Sequence, residues 1–434
     1  MGKEATLTHT TIQGVQIPVI YEHSTLIPTG IIHLVFQGGG KIQDGELWGQ
    51  GAVIEELLEK GSKKRGNLGF AKALEQRAID LSVTSAKQSL SFTLRFLQND
   101  KKQAIRLLGE LLLDPNLTKQ ELQKVKTAIT AQILAKQNDY DYLASRLLYS
   151  VLFANTPLAR PKLGTQESIA KIRLEDVKKV LESTLALQRL IIVLGGDIDK
   201  DSTLALLAPI LSKLPQGTPY TKLGFSTRKE PATQIKYAPT QQAYIYFGAP
   251  LHLKDLESES HLAKVASFIL GSGGFGSRIL EEVRVKRGLA YSASISYNIS
   301  PYTPYMSGHL QTKLESQDES IEVVKQTIAD FVAKGVSEEE LQAAKQFILG
   351  SEPLRNEKLS QRLMRAFNEF YMDKGIGFSK KELEKIANLD LATLNAYITS
   401  HKEIQNLSIA IITAKPQEDS SALESSIDTT TPKE

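Results

Sequence analysis

The sequence predicts an α+β protein made of two homologous domains, each with a mostly antiparallel sheet packed against helices. Three observations support this fold class. One segment of the first half recurs in the second, helix-period apolar patterns dominate both halves with strand-like runs in short groups, and a proline-rich stretch lies between the halves. The length of 434 residues also exceeds what one hydrophobic core usually serves.

The recurring segment is the start of a helix. Residues 117–123 of the first half are matched by residues 336–342 of the second. Thr118 and Ser337 are the predicted N-caps, and each is followed three residues later by a glutamate, which is the pattern of a capping box. Because capping boxes are common, this match alone does not establish a duplication.

Three further elements precede the repeated segment in the same order in both halves. They are a strand ending in glycine (31–38 and 243–248), a second strand (89–96 and 305–313) and an amphipathic helix (102–113 and 321–333). The offset between the copies is about 210–220 residues, and four elements in one order predict a duplicated domain.

The domain boundaries follow from composition. Residues 1–213 form the predicted first domain, and residues 241–416 form the second. Residues 214–240 carry four prolines with scattered glycine and serine, which is typical of an extended linker. Residues 417–434 are rich in serine, threonine and acidic residues without periodicity, which predicts a disordered tail.

Composition also excludes several classes of function. Lysine and arginine exceed aspartate and glutamate by only 52 − 49 = 3, so bulk charge does not indicate a nucleic acid or a membrane surface as partner. No apolar run approaches the ~20 residues that span a bilayer. The chain has no cysteine, which removes disulfides, thiolate metal ligands and cysteine nucleophiles. The seven histidines are dispersed, with no pair four residues apart.

Four stretches carry a family resemblance: residues 49–62, residues 157–161 with 164–169, residues 189–199 and residues 277–292. The last, with Glu-Glu-Val-Arg followed by Lys-Arg-Gly-Leu-Ala-Tyr-Ser, is the most specific. In this order they resemble the insulinase/pitrilysin-like (inverzincin) zinc metallopeptidases, including the mitochondrial processing peptidases and small bacterial homologues. The resemblance implies two similar α+β halves of about 200 residues, joined by a linker into a clamshell.

The resemblance also implies a zinc motif, His-x-x-Glu-His on one helix, with a glutamate from a later helix as third ligand. The corresponding residues here are Ala52, Glu55, Glu56 and Gln132. Alanine has no donor atom, and glutamine offers only a neutral amide oxygen. Only Glu55, at the general-base position, survives. We therefore expect no metal on this chain and no peptide hydrolysis by the chain alone.

Arg284 and Tyr291 lie seven residues apart, where the family carries an Arg/Tyr pair in its second half. The resemblance implies that both donate hydrogen bonds to the substrate carbonyl oxygen as it becomes an oxyanion at a partner's zinc site. The alternative for Arg284 is a helix-surface ion pair with Glu281 or another nearby acid. The alternative for Tyr291 is a half-buried strand aromatic.

A glycine-rich loop precedes this helix. It lacks the Lys-Ser/Thr of a P-loop, so a nucleotide site is disfavoured. In the resembling family, and especially in its zinc-free processing subunit, a loop here touches the substrate chain, and exposed backbone without side-chain bulk suits an extended peptide. The alternative is a flexible connection ahead of the helix. The predicted substrate-binding residues are Gly271, Gly273, Gly274, Phe275 and Gly276.

The leading hypothesis is a non-catalytic, Arg/Tyr-bearing subunit of a heterodimeric zinc peptidase, similar to the non-catalytic subunit of the mitochondrial processing peptidase. Zinc is expected in a homologous partner subunit, with a peptide as substrate; self-association into a homodimer is the other arrangement. One alternative is a structural or binding core subunit of a larger complex without proteolysis. The other is a stand-alone peptidase with an unconventional metal at Glu55 and Glu56.

The compartment is left open by the composition, since disulfide-free proteins occur in the cytoplasm and in the periplasm. The first residues lead directly into a strand-like segment with no apolar signal region. This pattern fits a cytoplasmic protein or a mature secreted chain. The family resemblance favours a periplasmic or otherwise extracytoplasmic location.

Overall fold

The computed structural model describes residues 4–415, which form two α+β halves with one mixed sheet each. The predicted disordered tail lies outside the described residues. The strands are β1 Thr6–Ile12, β2 Val15–His23, β3 Thr29–Gln37, β4 Asp80–Ser85, β5 Ser89–Leu97, β6 Leu190–Gly196, β7 Thr233–Tyr237, β8 Gln242–Pro250, β9 Ala290–Asn298, β10 Tyr305–Lys313 and β11 Ser408–Thr413.

Helices make up the rest of the regular structure. They are α1 Gln50–Leu58, α2 Gly66–Glu75, α3 Lys101–Leu113, α4 Lys119–Ala135, α5 Tyr140–Leu152, α6 Gln166–Lys171, α7 Leu174–Thr184, α8 Lys200–Leu211, α9 Leu256–Ser267, α10 Arg278–Leu280, α11 Gln317–Lys334, α12 Glu338–Gly350, α13 Glu352–Arg355, α14 Leu359–Tyr371, α15 Phe378–Ala387 and α16 Leu391–Ser400. Two π-helical turns, Phe268–Ser272 and Glu281–Val285, continue α9 and α10.

Both sheets are mostly antiparallel, as predicted. The first sheet has the order β1-β2-β6-β3-β5-β4, in which only β2 and β6 run parallel. The second has the order β7-β11-β8-β10-β9, in which only β7 and β11 run parallel. Strand β7 lies within the stretch predicted as linker, so part of that stretch extends the second sheet. The exact domain boundaries remain a prediction.

The predicted capping boxes differ between the two halves. At α12 the box is complete, because Ser337 accepts from the backbone N–H of Glu340 and the Glu340 carboxylate accepts from the backbone N–H of Ser337. At α4 only the first bond forms, from the Glu121 N–H to Thr118 Oγ1 at 3.2 Å. The Glu121 carboxylate is instead bound by Lys124 at 2.8 Å. The prediction of a full box at α4 was therefore wrong, because the Glu121 carboxylate is directed to Lys124 and does not accept from the backbone N–H of Thr118.

One helix of each half packs against the sheet of the other half. Helix α5 packs against β8 and β11 of the second sheet, and α14 packs against β2 and β6 of the first. The two helices hold matching places in the repeat, since each begins 22 residues after its capping residue (140 − 118 and 359 − 337). Exchange of equivalent helices joins the two halves through buried side chains.

The contact between α14 and the first sheet has its own apolar cluster. The buried members are Ile20, Val35, Ile191, Val193, Leu363, Ala366 and Phe367. A second cluster, around α5 and the second sheet, includes Leu148, Leu152, Phe153, Tyr305 and Ala410. Burial of each large side chain of this kind contributes roughly 1.5–3 kcal/mol, so these clusters make the two halves one cooperative unit.

A buried ion pair crosses the same interface. Glu22, at the end of β2, accepts a hydrogen bond from Arg362 Nε on α14 at 2.7 Å, and Arg362 Nη2 lies 2.7 Å from the same oxygen, Oε1. The Glu22 side chain is 1% exposed. Removing one partner of such a pair leaves an uncompensated buried charge, which costs far more than the intact pair contributes.

The linker is also fixed to the second half. Lys222 Nζ lies 5.3 Å from the ring centre of Tyr302 and 4.8 Å from that of Tyr371, and it pairs with Asp373 at 2.9 Å. An ammonium held over two aromatic faces is stabilised by the ring quadrupoles. The connection between the halves is therefore anchored at this lysine.

We expect Arg362→Ala to lower the free energy of unfolding by about 3–5 kcal/mol, because it leaves the buried Glu22 carboxylate without its positively charged partner. Urea unfolding at pH 7 measures the loss. The matched control is Arg95→Ala, whose partner Asp80 is also exposed, with an expected change below about 1 kcal/mol. A loss no larger than that of the control would contradict the prediction.

A second prediction concerns pH. His33 lies under α14, with Nδ1 2.8 Å from Thr93 Oγ1 and its ring edge-on to Phe367. Burial and then the charge of Arg95 lower the pKa of His33 to about 4. The unfolded chain, with a histidine pKa near about 6.5, therefore binds more protons between these values. The stabilisation that neutral His33 contributes to the free energy of unfolding is fully present above about pH 6.5, and it is lost as the pH falls through about 4.

We expect the His33→Gln variant to lose less stability than the unmodified chain between pH 7 and pH 4, by up to about 3 kcal/mol. Urea unfolding at several pH values measures the slope. His9→Gln is the control, because His9 is exposed on β1 and its loss should leave the slope unchanged. Identical slopes for His33→Gln and the unmodified chain would refute the assignment.

Candidate functional site

The helix that corresponds to the zinc-binding helix begins at a tightly packed turn. The buried Asp44 carboxylate accepts the backbone N–H groups of Gly49 and Gly51 at 2.9 and 3.0 Å. Gly49 has φ +89°, and a Cβ there would lie 2.6 Å from the carbonyl oxygen of Leu163, so only glycine fits. Burial raises the pKa of Asp44 to about 6, against the lowering effect of those backbone hydrogen bonds.

The former zinc-motif positions do not form a metal site. Ala52 is 5% exposed and packs in the core of the first half, whereas Gln132 is exposed on α4. Glu56 pairs with Lys60 at 3.7 Å. Within residues 4–415, no three side chains of histidine, cysteine, aspartate or glutamate come together to hold a metal ion. The residues present do not fit the family's zinc, and no step of a reaction is assigned to it here.

Glu55, the one residue of the zinc motif that is retained, contacts residues of two other segments. Its Oε2 accepts the backbone N–H of Ser85 at 3.0 Å and pairs with Lys162 Nζ at 3.1 Å. Ser85 is the last residue of β4, the edge strand of the first sheet. Glu55 thus ties α1 to this strand and to the 157–169 stretch, and the ammonium of Lys162 balances its charge.

Arg284 and Tyr291 lie together in the second half. Arg284 is on the π-helical turn after α10, and Tyr291 is the second residue of β9. The Arg284 guanidinium carbon lies 4.5 Å from the centre of the Tyr291 ring and 5.1 Å from that of Phe275. Two aromatic rings therefore lie within cation–π distance of the guanidinium, and one of them belongs to the glycine-rich loop.

Neither structural alternative for this pair fits the geometry. Among residues 4–415, Arg284 forms no ion pair within 4.0 Å, with Glu281 or any other acid, and none of its N–H groups donates a hydrogen bond. Tyr291 is 81% exposed rather than half-buried. Both side chains keep their hydrogen-bonding capacity for a ligand.

The glycine-rich loop divides into a packed part and an open part. A Cβ on Gly271 would lie 2.4 Å from the backbone nitrogen of Ile295, so this glycine is needed for packing, and Gly273 is similarly close to Phe268. Gly274 and Gly276 have φ values of +68° and +88° with open space around them. Phe275, between these two, is 80% exposed.

The structure thus brings together five of the predicted site residues in the second half: Gly274, Phe275, Gly276, Arg284 and Tyr291. The recorded partners of Glu55 belong to the first half, so the degenerate helix is a separate feature. Lys162 was missed by sequence reasoning. It lies between residues 157–161 and 164–169, which carried the family resemblance, and no spacing rule links it to Glu55.

In the part of the chain from residue 4 to residue 415, no helix has the length and apolar character needed to cross a membrane.

Comparisons with known proteins were made for sequence and for structure. The profile described as insulinase (peptidase family M16) matches residues 18–166, and that of the peptidase M16 inactive domain matches residues 171–348. A Helicobacter pylori protein named non-peptidase homolog YmxG is 44% identical over 419 residues, which cover 96% of this chain and 97% of that protein. An uncharacterized zinc protease of Bacillus subtilis, also named YmxG, is 23% identical, with coverage of 86% and 89%.

Solved structures share the fold. The crystal structure of a peptidase M16 inactive domain from Pseudomonas fluorescens superposes with a TM-score of 0.86 at 21% identity, covering 95% of this chain and 98% of the other. A protease from Helicobacter pylori superposes with a TM-score of 0.80 at 13% identity, covering 95% and 100%. The two-domain clamshell fold and the family predicted from the sequence are confirmed.

We expect Glu55→Ala to lower the free energy of unfolding by about 1–2 kcal/mol, because the Ser85 N–H loses its charged acceptor. Urea unfolding measures this loss. Glu56→Ala is the control, with an expected change within about 0.5 kcal/mol, because within residues 4–415 Glu56 pairs only with the partly exposed Lys60. Elemental analysis is expected to find far less than one zinc per chain. One zinc per chain that Glu55→Ala removes would overturn this interpretation.

Proposed function

Because the chain belongs to the M16 (insulinase) peptidase family, we propose that it acts as the non-catalytic subunit of a two-chain peptidase. A homologous partner holds the zinc, and this chain supplies Arg284 and Tyr291 to the substrate. The name non-peptidase homolog, carried by the 44%-identical relative, supports the non-catalytic part of the proposal. So does the absence of zinc ligands at Ala52 and Gln132.

One observation carries the proposal: the Arg284 guanidinium lies close to the Phe275 and Tyr291 rings, and no acid within residues 4–415 pairs with it. An arginine whose only role is structural normally donates to a carboxylate or to carbonyl groups. The two rings contact the guanidinium while leaving its N–H groups available. This arrangement suits a developing negative charge on a bound ligand.

The proposed chemistry is electrostatic. When a zinc-activated water attacks a peptide carbonyl, negative charge develops on the carbonyl oxygen. Arg284 and the Tyr291 hydroxyl donate hydrogen bonds to that oxygen, and a fixed donor of this kind is worth ~10²–10³ in rate. The protonated phenol and the guanidinium need no proton transfer in this role.

The open part of the glycine-rich loop has a positioning role in this proposal. Gly274 and Gly276 leave backbone groups accessible beside the exposed Phe275 ring. An extended peptide can hydrogen-bond to such backbone groups, while the ring contacts an apolar side chain. The substrate chain then passes directly over Arg284, because Phe275 and Arg284 are in contact.

A purely binding role is the second candidate, as in a core subunit of a larger complex without proteolysis. The same exposed residues, Phe275, Val285 and Tyr291, favour it, because clustered exposed apolar side chains mark interaction sites. An extracytoplasmic location is a further part of the proposal, and cell fractionation tests it.

The test mixes this chain with a zinc-bearing M16 homologue from the same genome and measures hydrolysis of a peptide library. We expect hydrolysis only in the mixture. Arg284→Ala is expected to lower kcat by ~10²–10³ and Tyr291→Phe by at least about tenfold, because each removes one oxyanion donor. The KM should change less than kcat, because the donors act mainly in the transition state.

Arg287→Ala is the matched control. Arg287 lies one helical turn from Arg284 and is paired with Glu282, so full activity is expected. Size-exclusion chromatography checks that every variant still associates with the homologue. Association with full activity in both Arg284→Ala and Tyr291→Phe would refute the catalytic contribution. Association with no hydrolysis in any mixture would favour the binding role.

A further inference from the structure

Three positively charged side chains without acidic partners lie near the start of α1. They are Lys41, in the short turn before α1, Lys87, between β4 and β5, and Arg146 on α5. The backbone nitrogen of Lys41 lies 3.5 Å from where a Cβ on Gly51 of α1 would be. Among residues 4–415, none of the three forms an ion pair within 4.0 Å. We call these three residues the basic cluster.

The acids near the basic cluster are engaged elsewhere. Glu55 pairs with Lys162 at 3.1 Å, and Glu46 lies 3.5 Å from Arg160. The buried Asp44 accepts two backbone N–H groups at the start of α1. Together with the basic cluster this makes five cations and three acids, an excess of 5 − 3 = 2 positive charges.

Two members of the cluster are anchored to consecutive backbone carbonyls. Lys41 Nζ donates to the carbonyl oxygen of Arg160 at 3.4 Å, and Arg146 Nη2 donates to that of Ala159 at 2.6 Å. Since these carbonyls belong to neighbouring residues, the ammonium and the guanidinium are held close to each other. They come from segments 105 positions apart in the chain (146 − 41).

Lys87 is joined to Lys41 through the backbone. The Lys41 N–H donates to the carbonyl oxygen of Ala86 at 3.1 Å, and the next N–H, of Ile42, donates to that of Lys87 at 3.2 Å. Burial first, and then the charges of Arg146 and Lys87, lower the pKa of Lys41 to about 8. Repulsion among partly buried cations costs free energy, which a bound anion relieves.

The basic cluster keeps both accessible surface and free donors. Lys87 is exposed, and Lys41 and Arg146 are half-buried. Within residues 4–415, Arg146 uses one of its five N–H groups, and the Lys41 ammonium makes one long hydrogen bond. A guanidinium binds two oxygens of a phosphate or carboxylate group in a fork, and an ammonium adds a compact charge beside it.

We propose that the basic cluster binds a doubly charged oxyanion, either a phosphate-type group or a dicarboxylate. Arg146 and Lys41 donate charge-assisted hydrogen bonds to its oxygens, and Lys87 adds a third positive charge. The two negative charges of the ligand match the excess of two positive charges around α1. This chain thus binds an anion beside the helix at which its family holds a cation. The site uses neither Arg284 nor a partner chain.

The test is isothermal titration calorimetry of the full chain with sulfate, inorganic phosphate and succinate at constant ionic strength. We expect saturable binding of one dianion per chain, with acetate at least about tenfold weaker because it carries one charge. Tighter binding of sulfate and phosphate than of succinate identifies a phosphate-type ligand, and the reverse order identifies a dicarboxylate. The bound dianion should also raise the Tm.

Variants locate the site. Lys41→Met and Arg146→Gln are each expected to weaken dianion binding by about tenfold or more, because each removes a charged donor. Lys87→Gln is expected to weaken it by at least about threefold. Lys87 is exposed in a turn, so this variant tests the site even if a half-buried position does not tolerate substitution. Lys381→Gln, at an exposed position on α15 of the second half, removes the same charge and should change the affinity by less than about twofold.

The pH dependence reports on Lys41 itself. Sulfate stays doubly charged between pH 7 and pH 9, and Asp44, whose pKa is raised to about 6, is already ionised at pH 7. Lys41 loses its proton in this range, since its pKa is about 8. Sulfate affinity is therefore expected to fall by up to about tenfold from pH 7 to pH 9 in the unmodified chain and by less than about twofold in Lys41→Met.

Three results would overturn the proposal. The first is the absence of saturable binding for all three dianions. The second is binding of acetate as tight as that of the dianions. The third is an equal effect of Lys87→Gln and Lys381→Gln, which would mean that the anions respond only to the overall charge of the chain.

Discussion

The exchange of α5 and α14 between the halves is the constraint on which the rest of the structure depends. Each sheet has one face covered by helices of its own half and another face covered by the helix of the other half. Neither sheet has a complete core by itself, because the helix that covers its second face is distant in the chain: α14 begins 359 − 196 = 163 residues after β6, and α5 ends 242 − 152 = 90 residues before β8. The buried Glu22–Arg362 pair and the Lys222 anchor lie on or beside the same contacts.

The two halves differ in how the residues at the family's site positions are bonded. In the first half, the helix that carries zinc in relatives is now a structural element, and Glu55 stabilises the end of β4 with help from Lys162. In the second half, Arg284 and Tyr291 are neither buried nor neutralised by acids within the described residues. A carboxylate kept at a catalytic position can therefore reflect packing alone.

Sequence reasoning predicted the elements whose signals are local. The duplicated order of strands and helices and the Ser337 capping box follow from spacing and residue type, whereas the Arg/Tyr pair was identified through the family resemblance. Contacts between distant segments could not be predicted in this way. Which surfaces of distant elements pack together decides the helix exchange, the Glu55–Lys162 pair and the place of β7 in the second sheet. In addition, the five residues of β7 lie in a proline-rich stretch, whose composition does not indicate a strand. The contact between Phe275 and Arg284 could not be predicted either, although each residue was predicted separately as a site residue.

The helix exchange has a consequence for synthesis on the ribosome. The apolar face of the first sheet around Ile20 and Val193 is covered only when α14, ending at Tyr371, has left the exit tunnel. At about 5–20 residues per second, the roughly 175 residues between β6 and the end of α14 keep that face uncovered for about ten seconds or more. During this interval the nascent first half exposes a continuous hydrophobic surface, which makes it a substrate for chaperones and a point at which aggregation competes with folding.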